Sequence, residues 1–405
     1  MKHSQGPFRQ IEDIQQCLAN DKKPVGLFIG AGCPTSIKVP GEDNVPLIPD
    51  INGITKDVCD LLAGCAECGP LLDRIKHQFE EDGQTDTNIE HYLSHIRSLR
   101  AVAGNVTVRD FTSAELDKLD DTICTHIVTI VNKTLPDTET PYHHLAAWIG
   151  AITRELPVEI FTTNYDLLME QALEDLRVPY FDGFAGSRKP FFDIHAMEED
   201  GAIPSRWTRL WKIHGSINWY QEPTKGVYRG SDQLVGEKRV IHPSHLKYEE
   251  SRRMPYLAMI DRLRAFFKLP SSVFVLCGYS FRDQHINEVI VQGLRNNPAA
   301  ICFALQFNKL ADYPEALRLA KERTNLSLVA NDGGVISGQE LPWSEVEHEQ
   351  LQEYDDSYIK WVPVDTNNPE GNHVPTFQMG DFKYLGEFLH ELIGINRRWE
   401  VETHE

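Results

Sequence analysis

No apolar run in this 405-residue sequence approaches the roughly 18 residues that a membrane-crossing helix needs. The opening segment, Met1 to Glu12, is polar and has no hydrophobic stretch ahead of a small-residue cleavage site, so the expectation is a protein neither secreted nor membrane-spanning. Cysteine is scarce. Eight residues are too few for a disulfide scaffold in a chain of this length, and Cys17, Cys33, Cys124, Cys277 and Cys302 fall inside apolar patterns, where a reduced thiol behaves as a small hydrophobe. A reducing cytoplasm is the consistent compartment. Positive charge is short as well: forty Lys and Arg against sixty Asp and Glu leave a net charge of −20. That balance disfavours direct nucleic-acid binding unless the basic residues gather into one patch. There is no internal repeat at a period of roughly 20 to 50 residues.

What is present is an ordinary globular composition, 41% apolar and 25% charged, enough for a packed core. Ile11, Ile14, Cys17 and Leu18 stand at helical spacing, and the compact run from Val25 to Ile29 reads as a buried strand ending in Gly30-Ala31-Gly32. After a Pro-rich loop, residues 53–153 read as a mostly helical insertion. It carries apolar stripes such as Ile89, Leu93, Ile96 and Leu99, a capping box at Thr112 and Glu115, and Thr140-Pro141 as an N-cap with proline at the first helical position. Strand signals resume at Val158 to Thr162, Leu210 to Ile213, Val273 to Cys277, Ile301 to Leu305 and Leu326 to Val329. Helical patterns follow at Leu167 to Leu176, Ile286 to Leu294 and Pro314 to Glu322. This alternation predicts an α/β fold: a Rossmann-like parallel sheet covered by helices on both faces. The acidic run at residues 340–356 reads as a solvated surface segment. A last helix, with Phe382, Leu385, Phe388, Leu389, Leu392 and Ile393 on one face, packs on the core or on another subunit.

Four polar motifs end four different predicted strands. Gly30-Ala31-Gly32 lacks side chains that would keep a pyrophosphate from backbone N–H groups, but it serves equally well as a strand-to-loop turn, and Thr35 stands where a dinucleotide fingerprint wants a third glycine. Thr162-Thr163-Asn164-Tyr165-Asp166 places polar groups at the carboxyl end of a strand, where α/β sheets bind ligands; the plain alternative is a helix N-cap at Asn164 or Asp166. Lys212-Ile213-His214-Gly215-Ser216 offers an imidazole beside a turn residue, and Gly278-Tyr279-Ser280-Phe281-Arg282-Asp283 offers small and hydroxyl residues with Asp283 as a further N-cap candidate. Cys65-x-x-Cys68, with Cys59 and His77 near it, is the arrangement closest to a zinc site; ordinary thiols are the simpler reading, and no metal is expected.

The order and identity of these motifs resemble the sirtuin superfamily of NAD-consuming enzymes over about residues 20 to 310. Phe161 to Asp166, Ile213 to Ser216, Gly278 to Asp283 and Asn88-Ile89-Glu90 look most like the sirtuin-like domains of bacterial antiphage defence systems. The resemblance implies a sirtuin-like NAD-binding and hydrolase domain at residues 10–310, with residues 311–405 completing the fold and available for subunit contacts. It implies an NAD+ glycohydrolase that depletes NAD+ as an antiphage effector, with NAD+ as its substrate. A homo-oligomer and a HerA-type hexameric ATPase partner are implied with it. Gly30, Ala31, Gly32 and Ser36 would line the phosphates and ribose, Gly278 and Ser280 the adenosine ribose, Thr163 and Asp283 would also bind NAD+, and Asn164, Asp166 and His214 would carry the catalysis. In this scheme the Asn164 amide orients ribose or water, Asp166 accepts from the carboxamide, and His214, with an ordinary pKa of roughly 6.5, acts as a base. Sirtuin deacylases carry a Cys-x-x-Cys zinc ribbon after the His-Gly motif, whereas here the only later cysteines, Cys277 and Cys302, lie in strand patterns. A protein deacylase or ADP-ribosyltransferase, and a non-catalytic NAD or ADP-ribose-sensing scaffold, remain the alternatives.

Overall fold

Residues 25–29 form the central strand because every position is buried, with alternate side chains feeding opposite layers. Val25, Leu27 and Ile29 join one hydrophobic cluster, Phe28 joins the other, and Gly26 leaves room for the Phe266 and Phe274 rings. The computed structural model describes residues 6–199, 201–222, 226–230, 238–241, 255–348, 351 and 357–394. Within them Val25–Ile29 lies near the middle of a nine-stranded sheet. On one side follow Glu159–Thr162, Thr208–Lys212 and Tyr180–Phe181; on the other follow Val273–Cys277, Ile301–Leu305 and Leu326–Val329, all parallel. The α/β parallel sheet expected from the sequence is present.

Five helices, Ile51–Ala63, Gly69–Glu81, Ile89–Ala103, Ser113–Val131 and Pro141–Ala151, fill the chain between the Val25–Ile29 and Glu159–Thr162 strands. Their starts follow from local chemistry. Asp50, Asn88, Thr112 and Thr140 each accept a hydrogen bond from the first-turn backbone, and the last three form capping boxes. The opposite layer consists of Pro255–Phe266, Gln284–Asn296 and Pro314–Glu322, whose buried faces meet Phe28, Phe161 and Phe274.

Two features differ from the sequence expectation. The sheet edge beyond Leu326–Val329 is antiparallel, a hairpin of Gly333–Ile336 and Gln339–Pro342. The acidic run therefore begins inside a strand, where exposed Glu340 pairs with Lys321 at 2.6 Å; Glu345 and Glu347 are exposed, whereas Glu349, Glu353, Asp355 and Asp356 lie outside the described residues. A second, antiparallel sheet of five strands is built around Gly215–Glu222. Its strands were not legible because Phe184–Ala185 and Phe191–Phe192 are only two residues long and Gly215–Glu222 does not alternate in burial. The last helix, Phe382–Glu391, packs on Pro141–Ala151. Phe382, Leu385, Phe388 and Leu389 are buried, and a side chain at Gly386 would meet Pro141. Between the two destinations expected for its apolar face, the core of the same chain is the one observed.

Candidate active site

From the central strand the chain runs outward to Glu159–Thr162 on one side and later returns to Val273–Cys277 on the other, so the loops leaving these strands diverge at their carboxyl ends. Open α/β sheets bind ligands at such a switch point. Here a cleft with a cavity volume of about 110 Å³ opens. Ala31, Thr163, Asn164, Asp166, His214, Gly278, Ser280 and Asp283 line it, and Ile48, Pro49, Ile51, Ile54 and Val131 supply an apolar wall.

Gly30, Gly32 and Ser36 are not on that lining. A Cβ on Gly30 would lie 2.2 Å from the Gly278 carbonyl oxygen, and one on Gly32 would lie 2.9 Å from Gly278 Cα. Gly278 itself has φ +69°, and a Cβ there would meet the Cys33 nitrogen at 2.6 Å. The glycines are required because two loops pack backbone to backbone, sealed by the Gly30 N–H donating to the Cys277 carbonyl and the Gly32 N–H donating to the Gly278 carbonyl, each at 2.9 Å. The turn reading of Gly30 and Gly32 is the one the geometry carries. The Ser36 hydroxyl donates to the Cys33 carbonyl at 2.8 Å, closing a short 3₁₀ turn.

Asn164 is held by its own loop. Its backbone N–H donates to Thr162 Oγ1 at 3.0 Å and its Nδ2 donates to the Gly30 carbonyl at 3.1 Å, which leaves Oδ1 with no protein donor among the described residues. Asp166 is buried at the start of Leu168–Asp175, and its Oδ1 accepts from the Leu168 N–H at 3.0 Å. Burial raises its carboxyl to about 6 against the opposing pull of Lys212. Lys212, 1% exposed, donates to the Asp166 carbonyl and to Glu170 Oε1 at 2.8 Å. Behind Asn164 and Asp166 lies a much smaller cavity of about 10 Å³, also lined by Tyr142, Glu170 and Lys212.

His214 is buried between two carboxylates. Its Nδ1 lies 3.2 Å from Glu90 Oε1 and its Nε2 lies 3.0 Å from Asp283 Oδ2. Burial pulls the ring's pKa down, but the charge of Glu90 and the hydrogen bonds of Asp283 and Glu90 outweigh it and push it up to about 10. The same pairing holds Asp283 below the usual carboxylate range despite its burial. At neutral pH the ring is therefore an imidazolium donating both N–H groups, a state different from the neutral base expected from the sequence. Asp283 also fills the N-cap role, since its Oδ1 accepts from the His285 and Ile286 N–H groups.

Sequence reasoning missed three contributors. Glu90 stood in a quoted motif without a role, and in sequence it reads as an acidic residue in the first turn of a helix. Tyr165, whose hydroxyl donates to Glu90 Oε1 at 2.7 Å, reads as core. Arg282 lines the cleft mouth and donates to Asn52 Oδ1 at 3.3 Å. Among the described residues no three His, Cys, Asp or Glu side chains converge in a metal-holding group. Cys65 and Cys68 sit at the junction into Gly69–Glu81, where the Cys68 N–H donates to the Cys65 sulfur at 3.3 Å.

Comparison with known families bears directly on these loops. Residues 158–327 match the SIR2-like domain family. The SIR2-like segment contains the Asn164, His214 and Gly278 loops, while the glycine turn and Glu90 lie upstream of it. Two solved structures are similar: one titled as the structural basis for the mechanism and regulation of Sir2 enzymes, at 15% identity over 75% of this chain and 87% of that one with a TM-score of 0.37. The other is titled as a Sir2 homolog–NAD complex, at 12% identity over 78% and 87% with a TM-score of 0.37. No curated protein matches the chain. No helix among the described residues is long and apolar enough to cross a membrane.

Proposed function

We propose that the chain is an NAD+ glycohydrolase that uses water to break the nicotinamide glycosidic bond, giving nicotinamide, ADP-ribose and a proton. The observation that carries this reading is the convergence of Asn164, Asp166 and His214 on one cleft at the carboxyl edge of a parallel sheet, within a SIR2-like segment. Bond cleavage builds positive charge at the ribose C1′. The Glu90, Asp166 and Asp283 carboxylates outnumber the neighbouring imidazolium, so the cleft favours that charge as it develops. Asn164 positions ribose or water through its amide, and Asp166, mostly ionised at pH 7, accepts from the carboxamide NH₂. Ala31, Thr163, Gly278 and Ser280 line the path of the rest of the dinucleotide, with Gly30, Gly32 and Ser36 holding that wall from behind. No step in this scheme calls for a metal.

The wider role we propose is that of a cytoplasmic antiphage effector that depletes NAD+, regulated by homo-oligomerisation and a HerA-type hexameric ATPase. Support for it is the motif resemblance alone. Residues 10–310 would be the NAD-handling domain, with the helical insertion over its cleft, and residues 311–405 would complete the fold and offer subunit contacts.

The test is nicotinamide release from NAD+ by the purified chain, alone and with the neighbouring ATPase co-expressed, beside Asn164→Ala and His214→Ala. Release by the parent that drops about 100-fold or more in both variants is expected. NAD+ bound without release, or release only when an acyl-lysine peptide is supplied, would replace this reading with a sensing scaffold or a deacylase.

A further inference from the structure

The carboxylates that bracket His214 are anchored differently. Asp283 uses Oδ1 to cap Gln284–Asn296 and Oδ2 to meet the ring, so it cannot leave His214 without disturbing the start of that helix. Glu90 carries no such duty. Its helix is capped by the Asn88 side chain, which accepts from the Glu90 and His91 N–H groups, and the His91 ring accepts from the Asn88 N–H in return. A single Glu90 oxygen is instead shared by the Tyr165 hydroxyl at 2.7 Å and His214 Nδ1 at 3.2 Å. That oxygen joins the insertion to two loops of the sheet edge.

We propose that Glu90 is a positioning residue that keeps His214 a double hydrogen-bond donor, and that displacing Glu90 lets Nδ1 release its proton to solvent, after which the neutral ring accepts a proton there from a ribose hydroxyl or from the attacking water. The proton then rests on Nδ1, the atom that Glu90 faces, and returns to solvent with the products. This proposal rests on the glycohydrolase reading and adds to it that the helical insertion controls the base.

The charged and titratable groups around the ring come from several elements. Glu90 comes from Ile89–Ala103, Tyr165 and Asp166 from the loop after Glu159–Thr162, and Tyr279 and Asp283 from the loop after Val273–Cys277. Lys212, two residues before His214, is committed to Glu170 and the Asp166 carbonyl. Arg97, from the Glu90 helix, acts on Tyr165 and pairs with Asp120 at 2.6 Å. Of the forces acting on the ring, burial is the strongest and Glu90 is the largest that opposes it. Glu90→Gln keeps the shape and removes that charge.

The experiment follows the ¹³Cε1-labelled histidines of the full chain by NMR over pH 5 to 11, with His214 assigned by its loss in His214→Gln. Parent, Glu90→Gln and Tyr165→Phe are compared, with nicotinamide release measured across the same range. We expect the His214 midpoint to fall by about one unit or more in Glu90→Gln and by less in Tyr165→Phe. The pH profile of kcat should move with it while KM stays near its parental value. An unmoved midpoint in an active, folded Glu90→Gln overturns the proposal and leaves the glycohydrolase reading intact, as does a midpoint that moves without the kcat profile. No release from any of the proteins overturns the glycohydrolase reading and the base role together, whatever the midpoint does.

Discussion

The two walls of the cleft are held in place by different means. On the sheet side, Gly30, Gly32 and Gly278 bring backbone against backbone, Asn164 is tied to the Gly30 carbonyl, and Lys212 is buried on Glu170. On the insertion side, the polar links across to the sheet loops run from side chain to side chain: Glu90 to Tyr165 and His214, and Asn52 to Arg282. A backbone junction allows almost no alternative geometry, because there is no rotamer to change. A side-chain link lets go by a single torsion. The geometry of the sheet-side loops thus depends on backbone contacts, and the charge of His214 depends on both walls, through Asp283 on one and Glu90 on the other.

The sharpest way to break the comparison is to attack the buried pair on the sheet side. Lys212→Met leaves Glu170 as an uncompensated carboxylate and should cost about 3–5 kcal/mol of stability in urea denaturation. The next effect concerns the link between the walls. The folded pKa of His214 lies above its unfolded value, so its contribution is complete below roughly pH 6.5 and disappears as pH rises through about 10. The parent should lose on the order of a few kcal/mol between pH 7 and pH 10 relative to His214→Gln, measured as unfolding free energies at each pH. Gly30→Ala drives a methyl into the Gly278 carbonyl and should cost about 1–3 kcal/mol while abolishing nicotinamide release. The smallest change belongs to the insertion. Asp50→Ala removes the cap of Ile51–Ala63, in which the Asp50 side chain accepts from the Gly53 N–H at 2.8 Å, and should cost about 1 kcal/mol with kcat retained. A large kcat loss in that variant would show the insertion wall to be as demanding as the sheet wall.

Much of the parallel sheet could be read in advance, for a simple reason. Val273–Cys277, Ile301–Leu305 and Leu326–Val329 are enclosed by helices on both faces, so each is a short continuous apolar run with turn residues at its ends. The helix starts were equally readable, because Thr112 and Thr140 carry their capping chemistry within four residues. What escaped was non-local. Glu90 meets His214 across 124 positions of sequence, and nothing near either residue announces the other. The special character of the glycines was legible, but not the close approach of Gly278, far along the chain, that constrains them. His214 was legible as a candidate and it lines the cleft, but its charge, which two distant carboxylates decide, was not legible. Asp283 both caps Gln284–Asn296 and lines the cleft, whereas the N-cap of Leu168–Asp175 is Leu167 and neither Asn164 nor Asp166, although the Asp166 carboxylate accepts from the Leu168 N–H.

The central strand pairs on one side with Glu159–Thr162 and on the other with Val273–Cys277, so Val25 finds its partner Val273 only 248 residues later. At a synthesis rate of about 5–20 residues per second, that interval lasts roughly 12–50 s. Through that time the apolar run VGLFI has both edges unsatisfied until Glu159–Thr162 emerges and one thereafter, a template for pairing with the wrong strand. The cleft cannot exist before residue 278 has emerged, because half of the junction that shapes it has not yet been made. A product that ended before this residue would therefore lack the junction and the cleft it shapes.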